Sequence, residues 1–164
     1  MGRIVLLAYE EVLTRSGLTA ITRLAGLDHL VNNFPPNNMD SGMQFEDISK
    51  IHHALDAIYG PRAGQGIALR AGQACFKYGL REFGPMMGVS DLSFRLLPLP
   101  LKIKNGLTAF ANTFNHHSDQ IVRLEEYEQG FRWIIERCPL CWQRETHSAG
   151  CHLAVGLMQE ALYW

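Results

Sequence analysis

Charge is what this sequence has least of. Asp, Glu, Lys and Arg make up 19% of its 164 residues, while apolar residues make up 47%. An average soluble domain carries about 25% charged residues. A chain this poor in charge is expected to bury extra surface in a dimer interface, an internal apolar pocket, or both. The charges also nearly cancel, at a net −1. That leaves no electrostatic footprint for nucleic acid or for an anionic membrane.

Long apolar runs are missing too. No window approaches the roughly 20 apolar residues of a membrane span. The opening Met1 to Glu11 turns acidic too early for a secretory leader. Internal repeats and low-complexity tracts are absent. No Walker or G-x-G-x-x-G pattern follows a strand, and Gly64-Gln65-Gly66 sits inside a helical pattern, which excludes a phosphate loop there. Cysteine is scarce, and three of the four crowd into fourteen residues. This distribution argues against a disulfide framework and for a cytoplasmic metal or thiol site.

Those three cysteines organise the reading. Cys138-Pro139-Leu140-Cys141-Trp142 is followed by Cys151 after nine intervening residues, a C-x2-C-x9-C pattern. Two intervening residues let both thiolates of a C-x2-C pair turn onto one ion. Pro139 suits the tight turn because its φ is fixed. Zinc takes four tetrahedral Cys or His ligands, so three cysteines leave one position to fill. Two other readings stand beside this one. Free cysteines often act as small buried hydrophobes, and C-x-x-C also serves as a redox pair. Cys151 would open a helix, whose positive dipole end favours thiolate, and that helps a metal ligand and a reactive thiol equally.

Along the chain, apolar spacing predicts a helix over residues 4–16 with Gly17 as its C-cap, then a short helix from Leu18 to Ala25 and another turn near Leu27–Val31. Residues 37–44 read as a loop. A helix from Phe45 to Tyr59 stops at Gly60, with His52 and His53 read as ordinary core or surface histidines. The longest helical pattern spans 62–83, and its glycines predict close packing against another backbone, since each costs about 1 kcal/mol relative to Ala. Cys75 within it reads as core. Short helices follow at 91–96 and 102–114. The texture then changes. Residues 120–127 and 131–136 read as two strands joined at Gln129-Gly130, with Phe131, Trp133 and Ile135 on one face. The hairpin delivers the chain into Cys138. A closing helix from Cys151 to Trp164 carries Cys151, Val155, Met158 and Leu162 on one stripe. A lone hairpin is marginal in water, so further strands are expected after residue 164 or from a partner.

The run from Arg132 to Trp164, with Trp133-Ile134-Ile135-Glu136-Arg137-Cys138-Pro139-Leu140-Cys141, Cys151, Val155-Gly156-Leu157 and a closing Trp164, resembles the 4-vinyl-reductase domain family, also described as hydrocarbon-binding. Tyr59-Gly60, Ala68-Leu69-Arg70-Ala71-Gly72, Phe76-Lys77-Tyr78-Gly79 and Leu97-Pro98-Leu99-Pro100 carry the resemblance upstream. It implies a single domain over 1–164. That domain would have a helical part (1–115), a hairpin (119–137), and a cysteine knuckle with closing helix (138–164). The implied fold is α+β, helical layers on a small antiparallel sheet, related to transport-protein-particle subunits and to the sensory domains of phenol-responsive activators. The resemblance further implies a homodimer, an apolar ligand pocket and a structural zinc. Its metal ligands would be Cys138, Cys141 and Cys151. The fourth would be His117, with His116 and His147 as rivals and His152 a weaker one. This chain departs from the family in lacking the strands and cysteines that follow the closing helix.

Three functions follow. The first is binding of an apolar small molecule: an aromatic, a lipid-like hydrocarbon or a tetrapyrrole-like ring. Its pocket would be drawn from Tyr78, Met87, Phe94, Phe110, Phe114, Trp133, Trp142 and Met158, with Phe83, Leu97 and other large apolar side chains beside them. Trp142 stands out because it follows Cys141 and its indole N–H needs a partner. The second is reduction of a tetrapyrrole vinyl group, or carriage of substrate for that reaction. The sequence shows no hydride or iron–sulfur fingerprint for it. The third is a dimeric interaction scaffold built on the helical face of residues 45–83.

Overall fold

The computed structural model describes residues 1–40, 42–87, 91–144 and 150–164. It is mostly helical with one small sheet: α1 (Gly2–Leu24), α2 (Phe45–Tyr59), α3 (Pro61–Phe83), α4 (Leu92–Arg95), α5 (Leu99–His117), β1 (Ile121–Tyr127), β2 (Gly130–Arg137) and α6 (His152–Tyr163). Single 3-10 turns occupy Asp28–Leu30 and Pro139–Cys141. These are the helices and the hairpin that the spacing predicts, in an overall α+β composition. The chain divides into two compact units. The first comprises Met1–Tyr78 and Pro139–Trp164, and the second Gly79–Cys138. The boundaries fall inside α3 and at the Cys138–Pro139 bond.

In the first unit, α1 packs on α2. Leu6, Tyr9 and Ile21 of α1 and Ile51 and Leu55 of α2 are fully buried. The break in α1 lies at Thr14, which adopts φ 66° and ψ 167°, rather than at Gly17. Gly17 instead lies within the helix, where a Cβ would press on Leu13 and on the Tyr59 hydroxyl. It is small for packing and does not act as a C-cap. At the start of α2, Gln44 and Asp47 form a reciprocal capping box, which satisfies two helix-end donors. Gly60 closes α2 with φ 78°, and Pro61 opens α3, where its missing N–H costs nothing.

Helix α3 crosses α6 at two facing glycines. A Cβ on Gly72 would run into the Leu153 carbonyl, and one on Gly156 into the Leu69 carbonyl. The close backbone approach expected of the glycine-bearing helix is therefore made within the chain. The crossing also turns α6. Its buried positions are Leu153 and Gly156, while Val155 is 45% and Leu162 57% exposed. Of the stripe Cys151, Val155, Met158 and Leu162, Cys151 and Met158 are half-buried while Val155 and Leu162 are exposed. Helix α6 is apolar on nearly every side, so hydrophobic period alone does not orient it. The need to bring backbone against backbone at Gly156 does.

In the second unit β1 and β2 pair antiparallel, with Leu124 opposite Trp133 and Val122 opposite Ile135. Helix α5 packs on β1. Asn115 clamps that contact, since its side chain accepts from the Val122 N–H and donates to the Val122 carbonyl, both at 2.7 Å.

Candidate metal centre

The hairpin ends in Arg137, and the next residue is the first cysteine of the cluster. Pro139–Cys141 then forms a single 3-10 turn, followed by a second turn in which the Arg144 N–H donates to the Cys141 carbonyl (3.2 Å). Gln143 sits in the left-handed region at φ 53°, a conformation non-glycine residues adopt only where neighbours hold it. Its neighbours on both sides are anchored to α2. Ser49 donates to the Trp142 carbonyl at 2.6 Å. The Trp142 ring meets Phe45 edge-on, with centroids 5.6 Å apart. Arg144, 15% exposed, makes a 2.7 Å ion pair with Asp56. The chain thus leaves the knuckle fixed to one face of α2. It returns at Cys151, the N-cap residue of α6.

This local run brings the three cysteines together. The sulfurs of Cys138, Cys141 and Cys151 all lie within 4.8 Å of one another, and those of Cys141 and Cys151 are 3.4 Å apart. All three are half-buried, whereas Cys75 is buried. Burial pushes the Cys75 thiol up to about 12. Cys75 therefore behaves as core, and the other three differ from it in setting. Three soft donors at this separation suit a thiophilic ion such as zinc. The group of mutually close ligands among the described residues is these three cysteines, with no described histidine inside it. His117 and His116 end α5 with their rings 4.6 Å apart. His152 is the first residue of α6. His147 lies outside the described residues.

The eight side chains expected around an apolar ligand fall in both units. In the second, Phe110, Phe114 and Trp133 form a chain of ring contacts at 6.4 Å each, and the Phe94 ring lies over Gly106 of α5. Met87 is half-buried in the turn after α3. In the first, Trp142 is committed to Phe45 through its ring and to Ser49 through its carbonyl, and Tyr78 and Met158 are half-buried on α3 and α6.

Spacing did not reveal the supports of the knuckle. Ser49 lies 93 residues from Trp142, and Asp56 88 residues from Arg144. Neither pair leaves a local trace in the sequence. A second polar contact was also missed as a pair. Tyr9 and His52, both buried, share a 2.9 Å hydrogen bond between the hydroxyl and Nε2. Burial, then the charges of Arg144 and His152, push the His52 pKa down to about 3. Burial chiefly pushes Tyr9 well above its ordinary value. This pair stays neutral and closes the core between α1 and α2.

Among known proteins, the chain matches no family model, no curated protein and no solved structure. What the fold and site define is a class: an α+β chain with a three-thiol cluster capable of holding a metal ion. No helix among the described residues is long and apolar enough to cross a membrane.

Proposed function

We propose that Cys138, Cys141 and Cys151 hold one structural zinc ion, and that the chain is a zinc-stapled binding domain for an apolar small molecule. The observation that carries the metal half is the approach of three sulfurs within 4.8 Å of one another. In a tetrahedral thiolate site with Zn–S near 2.3 Å, sulfurs stand about 3.8 Å apart, so side-chain rotation alone brings this set to coordination distance. Zinc there offsets two of the three thiolate charges and ties the knuckle to the start of α6. His117 is the first choice for the fourth ligand. A filled shell leaves no position for a reactive water, so the role is structural.

The ligand half rests on the resemblance carried by residues 132–164, on the low charge of the chain, and on the Phe110–Phe114–Trp133 ring series. The ligand class is an aromatic, a long hydrocarbon or a tetrapyrrole-like ring, and the acting form is a homodimer.

Elemental analysis of the purified full chain tests the metal. About one zinc per chain, the content of a single tetrahedral site, is expected, falling to background in Cys141→Ser. Protein purified without chelator that contains no metal and three titratable thiols overturns the zinc reading. Tryptophan fluorescence against a panel of aromatics, fatty acids and tetrapyrroles tests the ligand. No saturable quenching by any class overturns that half.

A further inference from the structure

We propose that Cys141 and Cys151 form a dithiol pair that a hydroperoxide oxidises to a disulfide, which makes the centre a modification site as well as a metal site. This rests on reading the three cysteines as one thiolate cluster, but not on which ion the cluster holds. Spacing alone nominates Cys138 and Cys141 of the C-x2-C as the redox pair. The geometry nominates a pair that spacing does not. The Cys141 and Cys151 sulfurs stand 3.4 Å apart, and both residues are half-buried, so a small oxidant has access. A disulfide needs about 2.05 Å, so the two sulfurs must close by roughly 1.4 Å, a movement within the reach of side-chain rotation.

Their supports favour the same pairing. Cys141 ends a 3-10 turn whose continuation is tied to α2 through Ser49 and Asp56. Cys151 is the N-cap of α6, which the Gly72–Gly156 crossing holds against α3. Both thiols thus project from anchored backbone, and the disulfide forms without undoing either anchor. Cys75 is buried and takes no part.

The step balances as follows. One thiolate attacks a peroxide oxygen, the O–O bond breaks, and a sulfenic acid and, after protonation, water result. The second thiolate attacks the sulfenic sulfur, the S–S bond forms, and hydroxide leaves and is protonated to water. The two thiolates give up two electrons, and hydrogen peroxide with two protons becomes two waters. A bound zinc ion then loses two of its three cysteine ligands and dissociates. Thiol reductant reverses the change.

The full chain itself supplies the readout. Trypsin cuts after Arg137 and Arg144, so Cys138 and Cys141 share the peptide 138–144, and Cys151 lies in 145–164. Zinc-loaded and metal-free protein are treated in parallel with dilute hydrogen peroxide, then blocked, digested and weighed. The two peptides are expected to be linked and two hydrogens lighter. The link should persist in Cys138→Ser and vanish in Cys141→Ser. In the loaded sample a chromophoric chelator should register zinc release in step with the disulfide. A disulfide closed within 138–144, sulfinic acids without a link, or a link that survives in Cys141→Ser overturns the proposal. Protein that binds no zinc but forms the link overturns the metal reading and leaves the pair standing. Protein that holds zinc and forms no link does the reverse.

Discussion

Cys75 and Cys151 are the same side chain in opposite settings. Cys75 lies mid-helix in α3 with its sulfur 4.0 Å from the Ile4 carbonyl, and burial raises its thiol to about 12. Almost none of it is thiolate at neutral pH, and no reagent reaches it. Alkylation of native, metal-free protein at pH 8 should therefore add three adducts, with the fourth appearing after denaturant unfolds the chain. Four adducts in the native state would place Cys75 outside the core. His52 makes the other residue-scale argument. Its folded pKa is about 3, and in the unfolded chain it titrates near 6.5. Between those values the unfolded state binds more protons, so stability rises with pH across the window and is lost as pH falls from about 6.5 toward 3. The slope from this one group is at most about 1.4 kcal/mol per pH unit. Urea unfolding at stepped pH should show it, and His52→Gln, which can still hydrogen-bond Tyr9, should flatten it. An equal slope in the variant would mean that His52 is not the group responsible.

Among the elements, the α3–α6 crossing shows what period can and cannot say. The glycines of residues 62–83 correctly implied a close backbone neighbour, and the boundaries of α2, α3, α6 and the hairpin were legible from spacing and stop signals. The facing of α6 was not, because an all-apolar helix gives period nothing to read. The kink at Thr14 was equally hidden, since no proline or glycine marks it. Glycine substitutions separate the roles. Gly72→Ala and Gly156→Ala each force a methyl into a facing backbone carbonyl, where no side chain can yield. Each should cost at least about 1–3 kcal/mol, the range for overpacking. Gly66 and Gly79, on the same helix α3, meet open space. Alanine there should stabilise by about 0.5–1 kcal/mol through the unfolded state and helix propensity. Denaturant midpoints for the four variants test the contrast. Similar losses at all four positions would mean that general helix disturbance, rather than the crossing, sets the cost.

Taken over the whole molecule, the three-cysteine cluster was legible while what holds it was not, because a C-x2-C-x9-C pattern is local and its anchors lie about half a chain away in sequence. This division makes a prediction about loading. Metal affinity depends on how little the ligands must move, and groups that orient ligands from behind typically contribute 10- to 100-fold. Here the orienting element is α2. Its Asp56 holds Arg144, three residues past Cys141, at 2.7 Å, and its Ser49 holds the Trp142 carbonyl. Asp56→Asn leaves a mostly buried guanidinium without its counter-charge, which frees the strained turn at Gln143 and with it the direction of Cys141. Zinc affinity, read by competition with a chromophoric chelator, should fall about 10- to 100-fold, with partial recovery in Asp56→Glu. Lys50 on the same helix pairs with Glu46 at an exposed site, where such pairs contribute little, so Lys50→Ala should bind zinc as the native chain does. If Asp56→Asn lowers the unfolding midpoint while zinc affinity stays at the native value, α2 supports the fold alone, and the knuckle holds its geometry through the 3-10 turn and the N-cap of α6.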